Sequence, residues 1–179
     1  VSPALASHLL EEARIQAKWI GINHIEVKTY ELEDESYSNN PKNRCFACKK
    51  ELHKQTSFIS EKHNYKNILD GVNFDDLSDY RPGIEAAKKA GVISPLALFK
   101  FSKQDVRDIS KSLGFPWWDK PAQPCLSSRF PYGYSITFKR LKMIEKGEDY
   151  IRGLGIKEVR VRSQGCLLYT SDAADDCRC

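Results

Sequence analysis

No stretch of this chain approaches the roughly 20 apolar residues that a helix needs to cross a bilayer. Its first residues show no basic segment followed by an apolar core, so no signal peptide is read and a cytosolic, cytoplasmic location is expected. Runs of Lys and Arg with interleaved aromatics are missing too, so nucleic acid is not demanded as a partner. Internal repeats and low-complexity linkers are absent. A parallel α/β domain normally starts with a buried strand, yet Val1-Ser2-Pro3 leads directly into a helical pattern.

What remains has the composition of an ordinary globular protein, with 41% hydrophobic and 29% charged residues in a chain of 179. That length fits one domain with part of a second. The net charge of +4 is modest and would suit a small anionic ligand. Six cysteines in a chain this long, with no export signal, argue for reduced thiols used in metal binding or catalysis.

The apolar spacing predicts a helix from Leu5 to Ile20, stopped at Gly21. Ile25 to Tyr30 alternates and predicts a short strand, followed by a polar loop from Glu31 to Arg44. A helix is expected from Cys45 or Phe46 to about Glu61, then a short strand from Lys66 to Asp70. Val72 to Tyr80 reads as a loop carrying three aspartates. Pro82 can open a helix that stops at Gly91. Ser102-Lys-Gln-Asp105 resembles a capping box for a helix ending at Gly114. Thr137 can cap a long helix to about Arg152, and Val159 to Arg162 begins a strand. Helices alternating with strands imply a parallel sheet covered on both faces, with ligands at the carboxyl ends of the strands.

Cys125 lies in Lys-Pro-Ala-Gln-Pro-Cys-Leu-Ser-Ser-Arg-Phe-Pro-Tyr-Gly, residues 120–133. Three prolines and a closing glycine deny this stretch a regular helix, and Arg129 is a nearby positive charge of the kind that favours a thiolate. Upstream stands Cys45-Phe-Ala-Cys48. Such a pair serves thioredoxin-like redox work, half of a zinc site, or part of an iron–sulfur site. Zinc needs two further ligands, and His53 and His63 are available, although His53 reads as an ordinary helix-surface residue. Cys166, Cys177 and Cys179 fall in the last 14 residues, which resemble translated adapter read-through and are set aside as a non-native tail. The three remaining cysteines suit a 4Fe-4S cluster whose fourth iron is open to an exogenous ligand.

Three segments carry a resemblance to a known family. They are Asn43-Arg-Cys-Phe-Ala-Cys-Lys-Lys-Glu-Leu52; Leu69-Asp-Gly-Val-Asn73 with Asp79-Tyr-Arg-Pro-Gly83; and Cys125-Leu-Ser-Ser-Arg-Phe-Pro-Tyr-Gly133 with Val159-Arg-Val-Arg162. In that order they resemble the LarE-type ATP-dependent sulfur transferases, which make the nickel-pincer nucleotide cofactor of lactate racemase. The resemblance covers residues 1 to about 163. It implies an α/β/α sandwich with a parallel sheet, of the adenine nucleotide alpha hydrolase or PP-loop type. A domain of that kind would cover residues 1–135, a C-terminal substrate-binding domain would begin over 136–165, and 166–179 would be the tail.

The implied reaction starts from pyridinium-3,5-biscarboxylic acid mononucleotide. ATP with Mg2+ adenylates a carboxylate and releases pyrophosphate, and a sulfur nucleophile then displaces AMP to leave a thiocarboxylate. The resemblance implies one of two sulfur sources: some members sacrifice the cysteine at the position of Cys125, others use three cysteines to hold a 4Fe-4S cluster carrying an extra sulfide. With Cys45, Cys48 and Cys125 all present, this chain resembles the second type, the sulfide donor being unknown.

The resemblance also places Arg129 beside the reacting cysteine, with a structural salt bridge as the alternative, and Glu148 near the active site, with a helix-surface position as the alternative. Arg160 and Arg162, on one face of a strand, would grip the substrate phosphate. Asp70, Gly71, Asp79 and Arg81 would lie near the nucleotide, although Asp79 and Arg81 also read as a local turn pair. A homo-oligomer is implied. The phosphate-binding segment Ser-Gly-Gly-x-Asp-Ser of the family does not occur in the chain, from which an internal fragment, inactive alone, is expected. A PP-loop tRNA thiolase and a zinc-stapled, non-enzymatic module are the competing expectations.

Overall fold

The computed structural model describes residues 1–79, 81–156, 158–164 and 167–171. In chain order the helices are α1 (Ser7–Ile20), α2 (Glu35–Ser38), α3 (Arg44–Lys62), α4 (Pro82–Lys89), α5 (Pro95–Leu98), α6 (Lys103–Ser112) and α7 (Phe138–Gly153), followed by strands β1 (Arg160–Gln164) and β2 (Leu167–Ser171). Single 3-10 turns cover Glu31–Glu33, Asp75–Leu77 and Leu126–Arg129. The chain divides into two compact units, one made of Val1–Lys42 with Pro124–Cys179 and the other of Asn43–Gln123. The expected boundary at 135/136 falls inside the first of these.

Helix ends follow local chemistry. Gly21 closes α1 in the left-handed conformation at φ 79°, and its amide donates to the Ala17 carbonyl. The side chain of Thr137 accepts from the Arg140 amide at the start of α7. At α6 the Ser102 hydroxyl accepts from the Asp105 amide while the Asp105 carboxylate accepts from the Ser102 amide, a reciprocal box. Within the segment read as a polar loop, Asp34 caps α2 by accepting from the Ser36 amide.

In the first unit the core is Tyr37, Leu126, Phe130, Ile136, Leu141, Ile144, Val159 and Val161. α7 packs on β1 and on the turn at Leu126–Arg129. Backbone bonds fasten the two parts of this unit: Leu126 N–H to the Ala4 carbonyl at 2.9 Å, Ile136 N–H to that of Ser38 at 2.7 Å and Gly133 N–H to that of Asn40 at 2.9 Å. Asn40 is fully buried at φ 53°, and its amide also donates to the Pro131 carbonyl at 2.8 Å. β1 and β2 run antiparallel, with Val161 opposite Thr170 and Ser163 opposite Leu168. Residues 167–171, assigned to the tail on sequence grounds, therefore pair as a strand, whereas Cys166, Cys177 and Cys179 lie outside the described residues.

In the second unit α3 packs against α4. A Cβ on Gly83 would come within 2.8 Å of Lys49 Cγ, so the missing side chain permits the close approach of α4 to α3. The expected strand Lys66–Asp70 is reduced to one parallel bridge between Leu69 and Ile93, held by Ile93 N–H to the Ile68 carbonyl at 2.9 Å and Asp70 N–H to the Ile93 carbonyl at 3.0 Å.

The architecture differs from the expected parallel sandwich. Among the described residues, strand pairing consists of that bridge and the antiparallel β1–β2 ladder. Ile25–Tyr30 forms no strand there. A strand exists only through a ladder partner, and the Thr29 amide instead meets the Val1 carbonyl.

Candidate active site

In the first unit, the prolines ahead of Cys125 keep the chain extended until Cys125 itself, at φ −61° and ψ 155°, opens the 3-10 turn. Its thiol is exposed. The turn behind it is tightly held. Ser128 donates from both its amide and its hydroxyl to the Cys125 carbonyl, at 3.0 and 2.8 Å. Ser127, fully buried, shares a 2.5 Å hydrogen bond with the hydroxyl of buried Tyr37.

Arg129 is 4% exposed and spends its donors on this frame. Nε donates to Glu148 Oε1 at 2.7 Å, and Nη1 donates to the Pro124 carbonyl at 3.2 Å and to Ser128 Oγ at 2.8 Å. Glu148, fully buried, is the hub of the unit. It also accepts from Arg152 Nη2 at 2.8 Å and from the Val161 amide at 3.2 Å. One carboxylate thus joins the loop that carries Cys125 to the strand that carries Arg160 and Arg162. Those two arginines stand at alternate positions of β1, on the face opposite buried Val161 and Ser163. The geometry gives Arg129 the salt bridge weighed as the alternative, and places Glu148 inside rather than on the helix surface.

The second unit holds the other predicted residues. Cys45 and Cys48 lie in the first turn of α3, three residues apart and so on one face, with Cys45 exposed and Cys48 half-buried. Neither these two nor Cys125 forms a disulfide. A cavity of about 370 Å³ is lined by Cys45, Lys49, Asp70, Gly71, Asp76 and Arg81, with neighbouring backbone. Arg81 pairs with Asp76 at 2.8 Å and with Asp79 at 3.1 Å, while the Asp70 carboxylate accepts from the Val72 amide at 3.2 Å. The fold therefore brings Cys45, Asp70, Gly71 and Arg81 to one cavity.

Lys49 and Asp76 were not singled out in the sequence. A lysine on a helix and one of three loop aspartates carry no local signature. Asp76 is distinguished only by its reciprocal hydrogen bonds with Asn73, both at 3.1 Å, and by its Arg81 partner.

His53 departs from the surface position read for it. It is 5% exposed, and neither ring nitrogen has a hydrogen-bond partner. Burial first, and Lys49 second, push its pKa below the ordinary histidine value. Among the described residues of each unit, no group of three or more His, Cys, Asp or Glu is placed to hold a metal, so His53 does not complete a zinc site with Cys45 and Cys48. No described helix is long and apolar enough to cross a membrane.

No family model matches the chain. It is 54% identical over 164 residues to an uncharacterized protein of Synechocystis sp., a match covering 92% of the chain and 61% of that relative. It is 37% identical over 131 residues to the pyridinium-3,5-bisthiocarboxylic acid mononucleotide synthase of Lactiplantibacillus plantarum, covering 73% of the chain and 48% of the synthase. An uncharacterized protein of Methanocaldococcus jannaschii is 34% identical over 161 residues, covering 90% of the chain and 61% of that relative. The chain thus spans 48% to 61% of the length of these relatives.

Proposed function

We propose that the chain is part of a LarE-type sulfur transferase, which converts an adenylated carboxylate of a pyridinium mononucleotide into a thiocarboxylate. Two things support this: the three sequence segments in their order, and the 37% identity to a protein named as the bisthiocarboxylic acid mononucleotide synthase. The observation that carries it furthest is the Glu148 hub, which ties the exposed Cys125 loop to the strand bearing Arg160 and Arg162. A phosphate held by that arginine pair would sit in a fixed relation to the Cys125 thiol.

The chemistry assigned to each residue follows from its setting. A carboxylate is a poor electrophile, and adenylation by ATP gives it AMP as a leaving group, after which sulfur attacks the carbonyl carbon and the C–O bond to AMP breaks. Cys125 presents a thiol from a loop that cannot recoil, because Arg129 and Ser128 hold its carbonyl side. Arg160 and Arg162 would bind the substrate phosphate. Asp70, Gly71, Asp79 and Arg81 would line the adenylate side, Arg81 being oriented by Asp76. ATP cleavage itself is assigned to the whole protein, with its Mg2+.

Cys45, Cys48 and Cys125 would be the thiolate ligands of a 4Fe-4S cluster. When bound, that cluster would supply the transferable sulfur. Sacrificial donation from Cys125 is the second reading, favoured by the exposure of that thiol; it would leave dehydroalanine at position 125.

The test uses the whole protein. Cys125→Ala is expected to keep pyrophosphate release from ATP and the biscarboxylate mononucleotide while abolishing thiocarboxylate formation. Unchanged thiocarboxylate formation would remove Cys125 from the mechanism. Anaerobic reconstitution of wild type should load about four irons per chain, and Cys45→Ala should lower that loading. Intact mass after one turnover separates the sulfur sources, since sacrifice costs the chain one H2S.

A further inference from the structure

Cys45 and Cys48 stand at the start of α3, one exposed and one half-buried, and the function proposed above uses them only as ligands. Their spacing also suits them to each other. Three residues along a helix put two Cα atoms about 5 Å apart, within the roughly 4.4–6.8 Å range of disulfides. The Cβ atoms of such a pair stand roughly 5–6 Å apart, about 1–2 Å more than a disulfide spans. Closure therefore asks the turn to tighten.

The start of α3 is where the helix can yield. The first amides of a helix have no acceptor within it. Asn43 at the N-cap makes no side-chain capping bond, and the Phe46 amide donates to the Asn43 carbonyl, three residues back, at 2.9 Å. That is a 3-10 bond, and 3-10 geometry eclipses side chains at positions i and i+3. The same geometry carried two residues further would align Cys48 with Cys45.

Tightening has a cost here. A Cβ on Gly83 would lie 2.8 Å from Lys49 Cγ and 3.7 Å from the Cys45 carbonyl oxygen, so α4 bears closely on this turn. A disulfide closed against both helix geometry and packing is strained. Strained, exposed disulfides are easily reduced and serve as regulatory bonds rather than structural ones.

We propose that Cys45 and Cys48 form a reversible disulfide that withholds both thiolates while no cluster is bound. The co-reactant is a low-molecular-weight disulfide such as oxidised glutathione. The exposed Cys45 thiolate attacks one of its sulfurs, forming a mixed disulfide and releasing one thiolate. The Cys48 thiolate then attacks Cys45 Sγ, the mixed bond breaks and the second thiolate leaves. The cysteine pair gives up two electrons and two protons, and the small disulfide becomes two thiols. Exposed Cys45 suits the first, intermolecular step and half-buried Cys48 the second. The pairing is a property of α3; only its consequence, a block on iron loading, rests on the cluster reading.

The experiment uses the full chain, freed of iron and equilibrated anaerobically in glutathione buffers of graded oxidation, then quenched with N-ethylmaleimide and digested with trypsin. Peptide 45–49 holds both thiols. In oxidising buffer it should carry no label and weigh about 2 Da less than its reduced, unlabelled form, the two hydrogens having been lost. Dithiothreitol should restore both labels. Cys48→Ser should stop at the mixed disulfide on Cys45, and Cys125→Ser should leave the pairing unchanged. Iron loading should fall at least about fivefold in the oxidised chain and return on reduction. Both thiols labelled in every buffer, a stable mixed disulfide on the wild-type chain, or a link between two chains on a non-reducing gel would overturn the pairing. A reduced chain that loads no iron would instead count against the cluster, with peptide 45–49 still deciding the disulfide.

Discussion

Arg129 Nε lies 2.7 Å from Glu148 Oε1, and both side chains are almost wholly removed from solvent. The loop carrying Cys125 therefore rests on a buried ion pair. Breaking one partner of such a pair leaves an uncompensated charge, at a cost of about 3–5 kcal/mol. Glu148→Gln should destabilise the first unit by that order, read by urea denaturation. Arg129→Met with Glu148→Met should cost less than the sum of the single changes. Simple additivity would mean that the two side chains act separately.

The hydroxyl pair of Tyr37 and Ser127 makes a smaller, cleaner test. Tyr37→Phe strands the buried Ser127 hydroxyl, at a cost of about 1–3 kcal/mol. The expected result is a lower denaturation midpoint and faster hydrogen exchange at the amides of Leu126 to Arg129. Exchange unchanged at those amides would show that the bond does not anchor the turn.

Stability should also respond to pH through His53. Its folded-state pKa is depressed by burial and by Lys49, with Asp70 opposing and Lys50, Lys54 and Lys89 nearby. The unfolded chain takes up a proton as the pH falls through about 6.5, and the folded chain does so only at lower pH. The contribution is thus fully present above that value and is lost as the pH drops towards the depressed one. His53→Gln should flatten this part of the stability curve, measured by urea midpoints between pH 7.5 and 5 on both proteins. Parallel curves would contradict it.

Thiol accessibility gives a fourth check. Cys45 and Cys125 are exposed and Cys48 is half-buried. Brief treatment of the native, reduced protein with iodoacetamide should label Cys45 and Cys125 ahead of Cys48, as read by peptide mass spectrometry. Equal labelling of all three would contradict the described environments.

A further prediction concerns α6. Ser102→Ala removes the hydroxyl that accepts from the Asp105 amide and should cost about 1 kcal/mol. The Asp105 carboxyl, held below its ordinary pKa first by the Ser102 hydroxyl and then by the Ser102 amide, should titrate nearer its usual value in that variant.

The capping box at Ser102, the cap at Thr137 and the stop at Gly21 were all legible in the sequence, because each depends on residues within one turn of each other. The strand at Val159–Arg162 was legible for the same reason and appears one residue later as β1. Ile25–Tyr30 misled because alternation proposes a strand while only a partner makes one. His53 and Glu148 misled in the other direction. A polar residue on a helix looks exposed until elements distant in sequence close over it, as Arg129 and Val161 close over Glu148. Cys45 and Cys48 were found by spacing, but the sharing of a cavity by Cys45 with Asp70 and Arg81 depends on packing that no local pattern records.

The first unit is split in sequence, and its two halves are sewn together across long intervals. Tyr37 meets Ser127 over 90 residues, and Asn40 meets Pro131 over 91. Closing an unstructured loop of that length costs about 4 kcal/mol of chain entropy plus a constant. In sequence the second unit falls between these two segments, and its α3–α4 pairing closes a far shorter loop. Assembly should accordingly be hierarchical, the inner unit ordering early and shortening the path that the outer seam must close. In pulse-labelled refolding, amides of α3 should gain protection before those of Gly133 and Ile136, whose partners are Asn40 and Ser38. The seam that steadies Cys125 would then close only after the inner unit has ordered.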